Sequence, residues 1–203
     1  MGARGDVRCS APGRGEEGAR RGRGGIDQER FTILGAGGGE GAGKLVAQVR
    51  ALARGGSGDW QLIVVCGRNE KLRRRLARVN FQSRALVLGF VDNMPDLMRA
   101  ADLVVSKAGP GAIGEALATE VPILLTSYLP GQETPNVNFV TGSGPGLYTP
   151  NPEPPFDAVQ ELYQPWTARW LSLTVAAAEI HRPLASPDSH PQSLPPPARP
   201  HPP

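Results

Sequence analysis

Residues 106–116 read SKAGPGAIGEA and follow directly on an apolar run, DLVV, at 102–105. Glycine and proline are poor residues for the inside of a helix, but both are well suited to its start. Glycine lets the backbone turn tightly and approach a ligand closely. Proline costs little at the first helical position, because its absent N–H would have no partner there. The stretch therefore predicts a strand that turns sharply into a helix. The amides of Gly111, Ala112 and Ile113 would face outward with the positive end of the helix dipole, a place where phosphate binds. Glu115, about one turn further in, would offer a carboxylate to sugar hydroxyls. A purely structural turn with a solvent-facing acid explains the segment equally well, and the segment alone leaves both open.

The same strand–helix unit recurs along the chain. FTILG (31–35) reads as a strand, with a helix over 44–54. QLIVVCG (61–67) is a continuous apolar run of the kind buried on both faces of a parallel sheet. A basic helix over 68–79 comes next, then ALVLGF (85–90), a short helix over 95–99, the strand 102–109 and a helix over 112–118. VPILLTS (121–127), a helix beginning at 136–140 and GPGLY (144–148) complete the series. Alternation repeated about five times predicts an α/β fold, a Rossmann-like doubly wound parallel sheet. Ligands of such sheets bind beyond the carboxyl ends of the strands. The informative loops are then 36–44, 67–69, 89–93, 106–111 and 127–136.

A chain of 203 residues holds one ordinary domain with flanking segments. Glycine and arginine dominate the first 25 residues and most of the 21 prolines fall after residue 148, which divides the chain into three. Residues 1–29 form a Gly/Arg-rich leader and 149–203 a Pro-rich tail. Neither carries enough apolar surface to offset ordering entropy, so both are expected to be disordered. Residues 30–148 are the expected folded domain. Within the tail, 166–180 has the pattern of an amphipathic helix that would touch a membrane.

The net charge of +3 arises mainly in the leader and in RNEKLRRRLARV (68–79). A solvated helix face beside a flexible leader accounts for this, so no nucleic-acid partner is expected; attraction to anionic lipid is a weaker alternative. Cys9 and Cys66 provide neither a disulfide nor a metal framework. No apolar run approaches the roughly 18 residues that a membrane span requires. The leader is Arg-rich in the manner of an organelle transit peptide, although Asp6, Glu16 and Glu17 count against that reading.

Three further loops carry candidate chemistry. GAGGGEGAGKL (35–45) nearly fits a phosphate-binding loop of nucleotide hydrolases, but Leu45 stands where Ser or Thr must hold magnesium. Its GGGEGA segment also fits a dinucleotide fingerprint, with only Asp59 available as the expected downstream acid. YLPGQETPN (128–136) turns at Pro130–Gly131 and would present Gln132, Glu133 and Asn136 toward the rim, or else be an ordinary polar surface turn. GFVDNM (89–94) would set Phe90 and Val91 beside a planar base, or bury them in the core. His181, His190 and His201 all lie in the tail. No nucleophile–base pair appears within 30–148, and no catalytic residue, metal or cofactor is expected there.

Taken together, GGGEGAGKL, VVCGRNEKL, LGFVDNMPDLMRAADLVVSKAGPGAIGEAL and LPGQETPNVNFV occur in an order that resembles the carboxyl-terminal domain of family 28 glycosyltransferases. Within that family the chain looks like the plant-type monogalactosyldiacylglycerol synthases, over about 31–148. The resemblance implies the donor-binding half of a GT-B fold, with UDP-galactose as donor substrate. By position, Gly38, Gly39 and Gly41 would lie under the diphosphate and Phe90 and Val91 would flank the uracil. Gly109, Pro110, Gly111 and Ala112 would add phosphate contacts, Glu115 would hold the ribose, and Gln132 and Glu133 the donor sugar. The family transfers the hexose to diacylglycerol with inversion, using a base from an amino-terminal acceptor domain. That domain has no counterpart in the leader, so a partial chain, inactive alone, is expected. The alternative is a stand-alone UDP-sugar-binding subunit that needs a membrane partner, as in split UDP-GlcNAc transferases. Peripheral association with the chloroplast envelope follows from the resemblance only.

Overall fold

The computed structural model describes residues 27, 30–37, 42–54, 60–81, 83–150, 154–163 and 167–181. In chain order the elements are β1 (Phe31–Ala36), α1 (Ala42–Arg54), β2 (Trp60–Val65), α2 (Glu70–Leu76), β3 (Arg84–Leu88), α3 (Met94–Arg99), β4 (Leu103–Lys107), α4 (Pro110–Ala118), β5 (Ile123–Ser127), α5 (Thr134–Ser143), β6 (Gly146–Tyr148), α6 (Pro154–Tyr163) and α7 (Ala168–His181). The six strands form one sheet in the order β3-β2-β1-β4-β5-β6, and every pairing is parallel. The order reverses between β1 and β4, which opens a crevice at their carboxyl ends.

The apolar strands are continuous because both faces of the sheet are covered. On β2, Leu62 and Val64 pack into one layer with α1, α2, α6 and part of α7. Ile63 and Val65 pack into the other, with α3, α4, α5 and Ala177 of α7. All six residues of β2 are buried, which is why period-2 alternation is absent from its sequence. The buried Gln61 is satisfied locally: its Nε2 donates to Thr32 Oγ1 at 2.8 Å and to the Asp27 carbonyl at 2.6 Å. Its Oε1 accepts from the Asp27 amide at 3.0 Å. That exchange ties the approach to β1 onto the neighbouring strand. The basic helix is shorter than its sequence pattern, seven residues from Glu70 to Leu76. The turn at Gly67, with φ +56°, and the Asn69 cap, whose Oδ1 accepts from Leu72 N at 2.9 Å, set its start.

The expectation of a disordered tail over 149–203 is corrected by α6 and α7. Proline content dominates that segment, yet Pro154 and Pro155 stand at the start of α6, where a missing N–H is harmless. Beyond them, Ala158, Val159 and Leu162, then Trp170, Leu173 and Ala177, recur at helical spacing and are all buried. Trp170 Nε1 donates to the Asp102 carbonyl at 2.9 Å. Phe31 meets Tyr163 and Trp170 edge-on, with centroids 5.9 and 6.4 Å apart. The helix read as touching a membrane thus buries Trp170, Leu173 and Ala177 against the sheet, while Leu171 and Val175 stay exposed. No helix among the described residues is long and apolar enough to cross a membrane. Most of the leader and residues 182–203 lie outside the described residues.

Candidate functional site

A cleft of about 410 Å³ opens at the carboxyl ends of β1 and β4, at the strand-order reversal. Gly109, Pro110, Gly111, Ala112 and Glu115, all from the start of α4, line it together with Gly37, Lys107 and Ser127. Gly109 is the N-cap, extended at φ −74° and ψ 138°, and Pro110 is the first helical residue. The Ile113 amide donates to the Gly109 carbonyl at 3.1 Å, so the expected set of three outward amides is corrected to two, those of Gly111 and Ala112. The reason is helix geometry: the fourth residue after the cap already closes the first intrahelical bond. Glu115 is exposed one turn further along.

The glycine loop after β1 is described only at its edges. Gly38, Gly39 and Gly41 lie outside the described residues. Gly37 is described, and a Cβ placed on it would fall 2.2 Å from Leu45 Cδ2. Leu45 itself is buried in the core at 4% exposure. Gly37 therefore lies against an aliphatic side chain at the position where a magnesium-binding loop would need a hydroxyl, which argues against nucleotide-hydrolase chemistry.

The remaining candidates separate by loop. Phe90 is 61% exposed and carries the Arg68 guanidinium 5.0 Å above its ring. Val91 packs with the α3 and α4 side of the core, and the helix that follows reaches the cleft through Met94 and Met98. Gln132 is exposed. Glu133, by contrast, is buried at 3%. Its Oε1 accepts from Lys107 Nζ at 2.8 Å and its Oε2 from the Leu129 amide at 2.8 Å. The Lys107 ammonium, helped by that amide, holds the Glu133 carboxyl below its ordinary range. Asn136 donates from Nδ2 to the Ala108 carbonyl at 2.9 Å, bracing the loop between β4 and α4.

Lys107 was not singled out by sequence reasoning, although its place at the end of a strand, two residues before a Gly-Pro turn, puts a cation on the binding rim. Gln48 was also missed; it lines the cleft at 6% exposure. Its signal is a polar residue among the apolar positions 45, 46, 49 and 52 of one helix.

Residues 32–142 match the glycosyltransferase family 28 C-terminal domain. The chain belongs to this family. It is 34% identical over 167 residues to monogalactosyldiacylglycerol synthase 1, chloroplastic, of Arabidopsis thaliana, a match covering 79% of this chain and 31% of that protein. To the chloroplastic monogalactosyldiacylglycerol synthase of Spinacia oleracea it is 37% identical over 147 residues, covering 70% and 28%. The chain thus spans about a third of the length of these curated relatives. Among solved structures, MurG of Acinetobacter baumannii superposes with a TM-score of 0.61 at 20% identity, covering 77% of this chain and 46% of that one. This likeness concerns the fold, and it agrees with a Rossmann-like sheet for a family 28 C-terminal domain.

Proposed function

We propose that this family 28 chain binds a uridine-diphosphate hexose, with galactose as the sugar, for transfer to diacylglycerol in galactolipid synthesis. The observation that carries this reading is the cleft at the strand-order reversal. Two unpaired helix-start amides, the Lys107 ammonium and the Glu115 carboxylate converge on it. An N-terminal helix end and a cation suit a diphosphate, and a carboxylate one turn inward suits the hydroxyls of a ribose. The galactose and diacylglycerol assignments rest on the similarity to the plant synthases, as does placement at the chloroplast envelope.

The described cleft lining holds no histidine and only one carboxylate, Glu115. We assign deprotonation of the acceptor hydroxyl to an acceptor-binding half outside the described residues, whether in cis or from a partner. Calorimetric titration of the chain with UDP tests the donor site, with saturable binding as the expected result. No heat at millimolar nucleotide from a chain with a folded circular-dichroism spectrum overturns it. Galactose transfer to diacylglycerol is expected only when an acceptor-binding half is supplied.

A further inference from the structure

We propose that Lys107 is the cation that receives the donor diphosphate, and that Glu133 acts through Lys107 as a positioning residue and not as a sugar ligand. This deepens the donor-site reading above and rests on it. Among the described residues lining the cleft, Lys107 is the only cation and Glu115 the only carboxylate. Among the described residues, a diphosphate entering this cleft therefore meets one cationic side chain.

The backbone aims that side chain. Ser106 pairs with Leu125, but Lys107 pairs with Ser127, so the β4–β5 register slips between the two residues. Bulges of this kind re-aim a side chain at the end of a strand. Lys107 consequently lies over the loop into α4. A Cβ built on Gly109 would be 3.4 Å from Lys107 Cε and 3.6 Å from its Nζ, which places the ammonium beside the helix start that carries the two free amides.

Glu133 holds it there. The glutamate side chain is 4% exposed while that of Lys107 is 49% exposed. The carboxylate is locked in its loop, since Oε2 accepts from Leu129 N at 2.8 Å while the Glu133 amide donates to the Leu129 carbonyl at 2.9 Å. A sugar hydroxyl has little access to oxygens so enclosed. An ammonium has three N–H donors. One is spent on Glu133, and the half-exposed remainder leaves two for phosphate oxygens.

The test compares UDP, UDP-galactose and uridine as titrants of the full chain. Lys107→Met is expected to weaken UDP binding by about tenfold to a hundredfold, the loss of a charge-assisted bond, with uridine affinity unchanged. Lys107→Arg is expected to keep UDP affinity within about threefold, because the charge remains. Glu133→Gln is expected to weaken UDP and UDP-galactose alike and to spare uridine. Thermal melting of each variant establishes that it is folded. Undiminished UDP binding by Lys107→Met overturns the assignment, as does a Glu133→Gln chain that loses affinity for UDP-galactose alone. A wild-type chain that binds neither UDP nor uridine overturns the donor-site reading itself. A wild-type chain that binds UDP beside an indifferent Lys107→Met overturns only the role given to Lys107.

Discussion

Replacing Trp170 by alanine tests whether the segment after β6 is part of the fold. Trp170 is 7% exposed, meets Phe31 edge-on at 6.4 Å, and donates from Nε1 to the Asp102 carbonyl at 2.9 Å. Truncating a buried tryptophan costs about 3–5 kcal/mol in transfer and cavity terms. The carbonyl left behind accounts for about 1 kcal/mol, and it overlaps with the cavity cost, so about 4 kcal/mol is expected in all. Against a total stability of about 5–15 kcal/mol, that is a large share. The midpoint of thermal unfolding should fall by roughly 8–16 °C, from about 2–4 °C per kcal/mol for a chain of this size. Trp170→Phe keeps a ring but loses the N–H, and should cost about 1–2 kcal/mol. Urea unfolding followed by circular dichroism measures both. If Trp170→Ala costs less than about 1 kcal/mol with unchanged cooperativity, α7 is not docked on the sheet and the reasoning fails.

Gly146→Ala should destabilise the chain by about 1–3 kcal/mol in urea titration, because a Cβ there lies 2.1 Å from the Ile123 carbonyl oxygen and 2.8 Å from Val140 Cγ1. A variant as stable as wild type would refute the β5–β6 packing. Burial pushes the Cys66 thiol up to about 11, so native protein at pH 8 should react very slowly with a thiol reagent such as DTNB and rapidly once unfolded in urea; fast native labelling contradicts the buried site. The Lys107 ammonium depresses the folded-state Glu133 carboxyl, so its contribution is fully present above the unfolded-state value of about 4.3 and is lost as pH falls through the lower folded value. Urea unfolding between pH 3 and 6 should show that loss in wild type and a flatter profile in Glu133→Gln; parallel profiles would count against the pairing.

The sheet was legible because its signals are local. The continuous apolar run of β2 reflects coverage on both faces, and the Gly-Pro start of α4 reflects a backbone rule that needs no distant partner. For the same reason Gly109, Pro110, Gly111, Ala112 and Glu115 were found in one segment and arrive in one cleft. The tail was misread because proline content is also local, whereas the burial that makes α6 and α7 helices is supplied by Phe31, Asp102 and the sheet. Glu133 shows the same division most clearly. A carboxylate in a polar turn reads from sequence as a group offered to solvent. Only the fold brings Lys107, 26 positions earlier, to its oxygen, buries the pair on one side and leaves the ammonium facing the cleft. Sequence by itself determined the strand–helix order and the residues that start α4, because backbone preferences and apolar periodicity act over a few residues. Tertiary structure decided which polar groups are already partnered, because hydrogen bonding and desolvation depend on neighbours that the chain brings together only when folded.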